Sequence, residues 1–459
     1  MPNYEELDKE YIWHPFTQMR HWLNEPQTII EEGKGCYVKD AAGRWYLDGV
    51  SSLWANVHGH RKKEIDAAIK SQLKKISHST LLGLGNIPSA QLAEKLIEIA
   101  PRGLAKVFYS DNGSTAVEVA LKIAFQYWQN KGRKKKRKFI TLANAYHGDT
   151  LGSVSVGGMD LFHKIYKPLL FKSIKVRSPY CYRCADNKAY PSCKIYCIAE
   201  LRLALLENSA DVAALIVEPI VQAAAGIIVW PKGYLKAAAA LCKKFNVLLI
   251  ADEVATGFGR TGKMFACQYE NVTPDIMALA KGITGGYLPL AATLTTDEIY
   301  NAFLGDYAQK KTFFHGHTYT GNPLAAAAAL ANIALFEKEE VLKNLRPKIE
   351  FLRNGLSKFR ELAHVGDIRQ KGTMVGIELV RNKKTKEPYG WEEKIGIRVI
   401  TEAKKRGVIL RPLGNVLVLM PPLSITRAEL KTLLDVTQES IASASSCSIS
   451  LQQKNYVTP

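Results

Sequence analysis

Short apolar runs alternate with helix-patterned stretches from Val107 to about Leu294. They are Lys106-Val107-Phe108-Tyr109, Phe139-Ile140-Thr141-Leu142, Ala213-Ala214-Leu215-Ile216-Val217, Val247-Leu248-Leu249-Ile250-Ala251 and Ile276-Met277-Ala278-Leu279-Ala280. Runs of this length read as buried strands, and strands alternating with helices predict an α/β fold with a mostly parallel sheet covered on both faces. Upstream, Lys63 to Ser77 and Ser89 to Ile99 carry helical periodicity, while Glu31 to Asp48, with Ala42-Gly43 between short alternating runs, reads as a small β-meander. The Ala-rich stretch Pro323 to Phe336 predicts a long helix, after which the pattern turns to α+β. The expected division is a polar arm and meander at 1–60, a large domain at 61–330, a smaller C-terminal domain at 331–445, and a Ser- and Gln-rich tail at 446–459 expected to fray.

Two of the apolar runs end in a single charge: Val247–Ala251 reaches Asp252, and Ile276–Ala280 reaches Lys281. Ligands of open α/β sheets gather at the carboxyl ends of strands, so both side chains are expected at one crevice. An amine and a carboxylate there suit pyridoxal phosphate, the amine bonding its aldehyde and the carboxylate keeping the ring nitrogen protonated. A buried Asp–Lys ion pair without chemistry fits the spacing equally well. Ser110-Asp111-Asn112-Gly113-Ser114-Thr115 stands between a strand and a helix, the setting of an anion site or of a plain helix cap. Tyr146 lies just past the strand ending at Leu142, where it either stacks on a ligand ring or caps the core. Gly257-Phe258-Gly259-Arg260-Thr261-Gly262 matches G-x-G-x-x-G literally, but no helix opens from it, which argues against a dinucleotide site.

Asp252-Glu253-Val254, Gly257 to Gly262, Pro274-Asp275 and Ala280-Lys281-Gly282 together resemble the signature of the class III aminotransferases. The resemblance implies a fold-type I pyridoxal-phosphate transferase, with a seven-stranded sheet in the large domain and a small α+β domain built from both termini. It implies Lys281 as the lysine joined to the cofactor, Asp252 at the ring nitrogen, Tyr146 against the ring, and Gly113 with Ser114 at the phosphate. It also implies a homodimer with shared sites, the loop His315 to Asn322 carrying Thr318 to the partner's phosphate. Gly316 falls at the substrate in that loop, and His317, standing where near relatives have proline, falls with Thr318 at the cofactor.

Tyr11 to Met19, Ser51 to His60 and Leu410 to Gly414 are similar to the biotin-pathway branch of that family, which aminates 8-amino-7-oxononanoate. That similarity implies an apolar tunnel walled by Trp54 and Tyr146, with Arg411 gripping the terminal carboxylate; a guanidinium fork matches such a group. Phe16 and Leu53 replace a tyrosine and a tryptophan of many members that use S-adenosylmethionine, and look more like the branch that takes lysine as donor. An ω-aminotransferase acting on ornithine or 4-aminobutyrate is the alternative.

The chain has 459 residues, enough for more than one core. Its formal charge of +19 is focused at Lys131-Gly132-Arg133-Lys134-Lys135-Lys136-Arg137-Lys138, which reads as a solvated loop; a catalytically dead polyanion-binding scaffold is the rival. No aromatic interleaving or nucleic-acid motif accompanies the run. The N-terminus lacks a secretory pattern and no run of about 20 apolar residues occurs, so a cytoplasmic protein without membrane or nucleic-acid partners is expected. Cys181, Cys184, Cys193 and Cys197 read as free thiols or as a metal shell apart from catalysis.

Overall fold

The computed structural model describes residues 3–454. The apolar runs become the centre of a seven-stranded sheet. Its strands are β4 (Leu104–Ser110), β5 (Lys138–Leu142), β6 (Ile174–Val176), β7 (Val212–Val217), β10 (Leu248–Asp252), β11 (Ile276–Leu279) and β12 (Ala291–Thr296), in the order β4-β12-β11-β10-β7-β5-β6. β12 runs antiparallel to both neighbours, and the remaining pairs are parallel. Every residue of β7, β10 and β11 is buried, which is why these strands read as unbroken apolar runs: helices cover both faces. A short hairpin, β8 (Val221–Gln222) with β9 (Ile228–Val229), follows β7.

The meander β1 (Ile30–Lys34), β2 (Tyr37–Asp40) and β3 (Trp45–Asp48) is antiparallel. β16 (Val408–Ile409) joins it parallel to β3, so the two ends of the chain share one sheet. The other C-terminal sheet is built from β13 (Val365–Lys371), β14 (Met374–Asn382), β15 (Glu387–Pro388), β17 (Arg411–Leu413) and β18 (Val416–Leu419).

Three boundaries differ from the sequence reading. The polar arm contains two helices, Tyr4–Tyr11 and Met19–Asn24. The helix starting at Pro323, capped by Asn322, passes 331 and runs to Lys338, because its alanines let it pack closely on the helices Lys63–Leu73 and Ile87–Ile99. The last helix, Arg427–Lys454, continues through Ser446, and residues 455–459 of the expected tail lie outside the described residues.

The basic run needs a correction. Lys136 is buried, with Nζ donating to the carbonyls of Ser209 (3.0 Å), Val212 (3.0 Å) and Asn246 (2.5 Å) and lying 4.4 Å from the Trp128 ring centroid. Three carbonyls and an aromatic face replace its hydration shell, so this lysine ties loops together and is absent from any surface patch. Among the described residues no helix is long and apolar enough to cross a membrane.

Candidate active site

Asp252 and Lys281 come from adjacent parallel strands, with Asp252 in register with Ala278. The ion-pair reading requires their charges to meet, and among the described residues no ion pair within 4.0 Å joins them. Asp252 is instead engaged from behind: His147 Nδ1 lies 2.7 Å from its Oδ2, and the Val254 amide donates to Oδ1 at 3.1 Å. The Lys281 Nζ lies 4.8 Å from the centroid of the Trp54 ring. Burial pushes the Lys281 amine below its ordinary pKa, while the negative charges of Asp252 and Glu218 pull it back up. An amine whose pKa burial lowers and an anchored carboxylate thus share a crevice without forming an ion pair.

The anion site is the N-terminus of the 18-residue helix Gly113–Asn130. Asn112 caps it, its side chain accepting from Thr115 N while the Thr115 hydroxyl reaches back to the cap's backbone. The helix-cap reading is therefore met by Asn112 and Thr115, leaving Gly113 and Ser114 for another task. A Cβ on Gly113 would stand 2.6 Å from Val254 Cγ1, and one on Gly148, whose φ is +119°, would stand 2.0 Å from Ser114 Oγ. These glycines let the helix N-terminus close against the segments carrying Asp252 and Tyr146. The positive end of the helix and its open amides suit a phosphate there. Ser110 Oγ, fully buried beside this turn, has no hydrogen-bond partner among the described residues.

Tyr146 donates its hydroxyl to Asp149 Oδ2 at 2.7 Å, and burial with the Asp149 carboxylate raises its pKa. Its ring meets Phe162 edge-on at 6.4 Å, and Phe162 meets Phe16 edge-on at 5.3 Å, so the N-terminal arm reaches the crevice through two aromatic contacts. Leu53 is exposed and Trp54 buried in the turn beside Lys281. Arg411, on β17, is partly buried; among the described residues no carboxylate pairs with it, and burial lowers its pKa.

The loop from His315 lies against the same chain's anion turn, His317 Nδ1 being 2.6 Å from Asp111 Oδ2. Gly316 and Thr318 are exposed, and a Cβ at Gly316 would meet nothing within 4 Å. Cys181, Cys184, Cys193 and Cys197 are free thiols. Among the described residues no three His, Cys, Asp or Glu side chains are grouped to hold a metal ion.

Two site residues escaped the sequence reading. His147 orients Asp252. Glu218, fully buried past the end of β7, accepts from the amides of Tyr146 (3.1 Å) and Ala223 (2.8 Å). Burial pushes Glu218 up to about 7, His147 opposing and Asp252 reinforcing the rise. The sign follows: with the folded pKa above the unfolded one, the folded state holds the extra proton, so this group's stabilisation is complete below about 4.5 and is lost as pH rises to about 7. Glu218→Gln should remove that dependence. Denaturant titrations of the cofactor-free protein at pH 5 and pH 8 should differ between wild type and variant by on the order of 3 kcal/mol. Equal pH dependence in the two proteins would contradict the assignment.

The sequence profile described as aminotransferase class-III matches residues 19–441. A Geobacter sulfurreducens protein named adenosylmethionine-8-amino-7-oxononanoate aminotransferase is 54% identical over 447 residues, covering 96% of this chain and 99% of that one. The crystal structure of the enzyme of the same name from Methanocaldococcus jannaschii superposes with a TM-score of 0.92 at 50% identity, covering 96% and 98%. A thermostable ω-transaminase from Pseudomonas jessenii, a 6-fold mutant, superposes with a TM-score of 0.93 at 32% identity, covering 96% and 99%.

Proposed function

The chain belongs to the class-III aminotransferases, a pyridoxal-phosphate-dependent family, and from that premise we propose that it converts 8-amino-7-oxononanoate to 7,8-diaminononanoate in biotin biosynthesis, with pyridoxal 5'-phosphate as its cofactor. The observation that carries the cofactor reading is the separation of Asp252 and Lys281, each held apart from the other within one crevice. When bound, the cofactor supplies an aldehyde for the amine and an electron-accepting ring. Lys281 Nζ, its pKa lowered by burial, would bond that aldehyde and would serve as the base that takes and returns the proton at the substrate carbon bearing nitrogen. Asp252, aimed by His147, would hold the proton on the ring nitrogen. Gly113 and Ser114 receive the phosphate, and Tyr146 and Trp54 exclude water from the ring and the substrate chain.

Arg411 takes the carboxylate of the oxo acid, a reading supported by the absence of a carboxylate partner for it among the described residues. Arg411→Ala is expected to raise KM for 8-amino-7-oxononanoate by roughly 10- to 100-fold with kcat little changed, as steady-state kinetics would read. An unchanged KM would sink that assignment.

The donor has two candidates. The names of the relatives favour S-adenosylmethionine. Phe16 and Leu53, exposed at the mouth without the hydroxyl and indole that would meet a sulfonium nucleoside, favour lysine. Half-reactions on the loaded protein decide: the true donor bleaches the visible band of the cofactor within one turnover and the other leaves it unchanged. Bleaching by ornithine or 4-aminobutyrate alone would favour the ω-aminotransferase reading instead.

We also propose a homodimer in which Thr318 serves the partner's phosphate site. Thr318 is exposed, and its loop lies against the segment 77–87: His78 and Tyr319 rings are 4.9 Å apart, and Asn322 Nδ2 donates to Ser77 O. Leu82, Leu84, Ile87, Phe314 and Tyr319 on these two segments are all exposed, an apolar face that a second copy would cover.

A further inference from the structure

Arg260 sits in the Gly257–Gly262 turn and is 1% exposed, among the largest fully buried side chains of the protein. A buried guanidinium is usually matched to a carboxylate, yet here the donors go to one loop and its neighbour. NH1 donates to Ser51 Oγ (3.0 Å) and to the Pro421 carbonyl (2.9 Å), and NH2 to the Asn56 carbonyl (2.7 Å). Ser51 Oγ in turn donates to the Met420 carbonyl. The backbone of Arg260 is tied as well, its carbonyl accepting from Thr373 N at 3.0 Å and Thr373 Oγ1 at 3.2 Å. Large sheet, N-terminal segment and C-terminal sheet therefore meet on one residue.

The loop so gripped is unusual. Ser51, Ser52, Leu53 and Trp54 have φ values of 52°, 48°, 72° and 67°, four successive non-glycine residues in the left-handed region. L-residues adopt it at a cost and keep it only where the surroundings over-determine it, commonly at ligand clamps. Asp48 fixes the other side of the turn, accepting from Ser52 Oγ at 2.7 Å and from Val50 N at 3.2 Å. The outcome is functional in position: Trp54 is buried beside the Lys281 amine while Leu53 is left exposed at the mouth. Burial brings Arg260 to about 10 with Asp48 opposing, so it stays charged at neutral pH, and that charge adds to burial in lowering the Lys281 pKa.

We infer that Arg260 is a positioning residue: by holding the left-handed Ser51–Trp54 turn it sets the shape of the pocket that receives the substrate chain. The inference rests on Trp54 walling that pocket, as proposed above.

The test uses the cofactor-loaded full chain with Arg260→Met and Arg260→Lys. Hydrogen exchange followed by mass spectrometry reads the turn directly, because the amides of Trp54, Ala55 and Asn56 bond to the carbonyls of Val50 and Ser51. In Arg260→Met, peptides spanning 50–57 should exchange about tenfold faster or more, with peptides of β11 unchanged. KM for 8-amino-7-oxononanoate should rise about tenfold while kcat falls less than about threefold, and Arg260→Lys should recover part of both effects. Unchanged exchange at 50–57 overturns the inference, and so does a uniform rise across all peptides, which would make Arg260 a general fold residue. A wild type that leaves the oxo acid unreacted, with 50–57 still loosened in the variant, sinks the substrate reading and supports this one. If Arg260→Met does not fold, Ser51→Ala removes the one side-chain acceptor of the guanidinium and should loosen the same peptides.

Discussion

Lys281→Ala is expected to lower turnover by about 10⁴-fold or more while leaving the fold intact. The alanine variant loses both roles of Nζ, the bond to the cofactor aldehyde and the proton transfer at the substrate carbon, and no neighbouring amine replaces it. The side chain carries no structural load: the Trp54 face lies 4.8 Å away, and among the described residues no hydrogen bond of the fold depends on it. Circular dichroism and thermal unfolding should therefore match the wild type, whereas single-turnover assays should register the loss. A variant that is active within about tenfold of wild type would remove Lys281 from the chemistry.

The second large effect is expected at Asp252. Asp252→Ala leaves a buried histidine without its carboxylate and removes the counter-charge that keeps a ring nitrogen protonated. Losing one partner of a buried hydrogen-bonded pair costs about 3–5 kcal/mol, which as a rate is roughly 10²- to 10³-fold or more. Because His147 Nδ1 lies 2.7 Å from Oδ2, part of that cost should appear as lowered stability, unlike the Lys281 variant. Comparing kcat with the denaturation midpoint for both variants separates the roles. An Asp252→Ala protein that keeps wild-type kcat would make the carboxylate a structural group only.

Both residues were visible in the sequence for the same reason. A fully buried parallel strand needs an unbroken apolar run, so a charge at its end stands out and its side chain is delivered to the edge of the sheet. Glu218 obeys the same rule, standing one step past the end of Val212–Val217. His147 gives no such sign. Its meaning comes from Asp252, 105 positions away, and only the alignment of β5 with β7 and β10 brings them together.

Lys136 is hidden in the sequence because seven basic residues in a row of eight average to a hydrated loop, and nothing local marks the one whose Nζ finds three carbonyls. The turn at Ser51–Trp54 was hidden for the opposite reason: left-handed backbone is normally announced by glycine, and this turn contains none. Its conformation is held by Asp48, three residues before it, and by Arg260, which no window of sequence around the turn contains.

The most direct measurement is reduction of the cofactor-loaded protein with borohydride, followed by proteolysis and mass mapping of the tagged peptide. The tag is predicted on Lys281, in the peptide that follows β11. A tag on another lysine, or a protein that takes up the cofactor and yields no tagged peptide, would contradict the account.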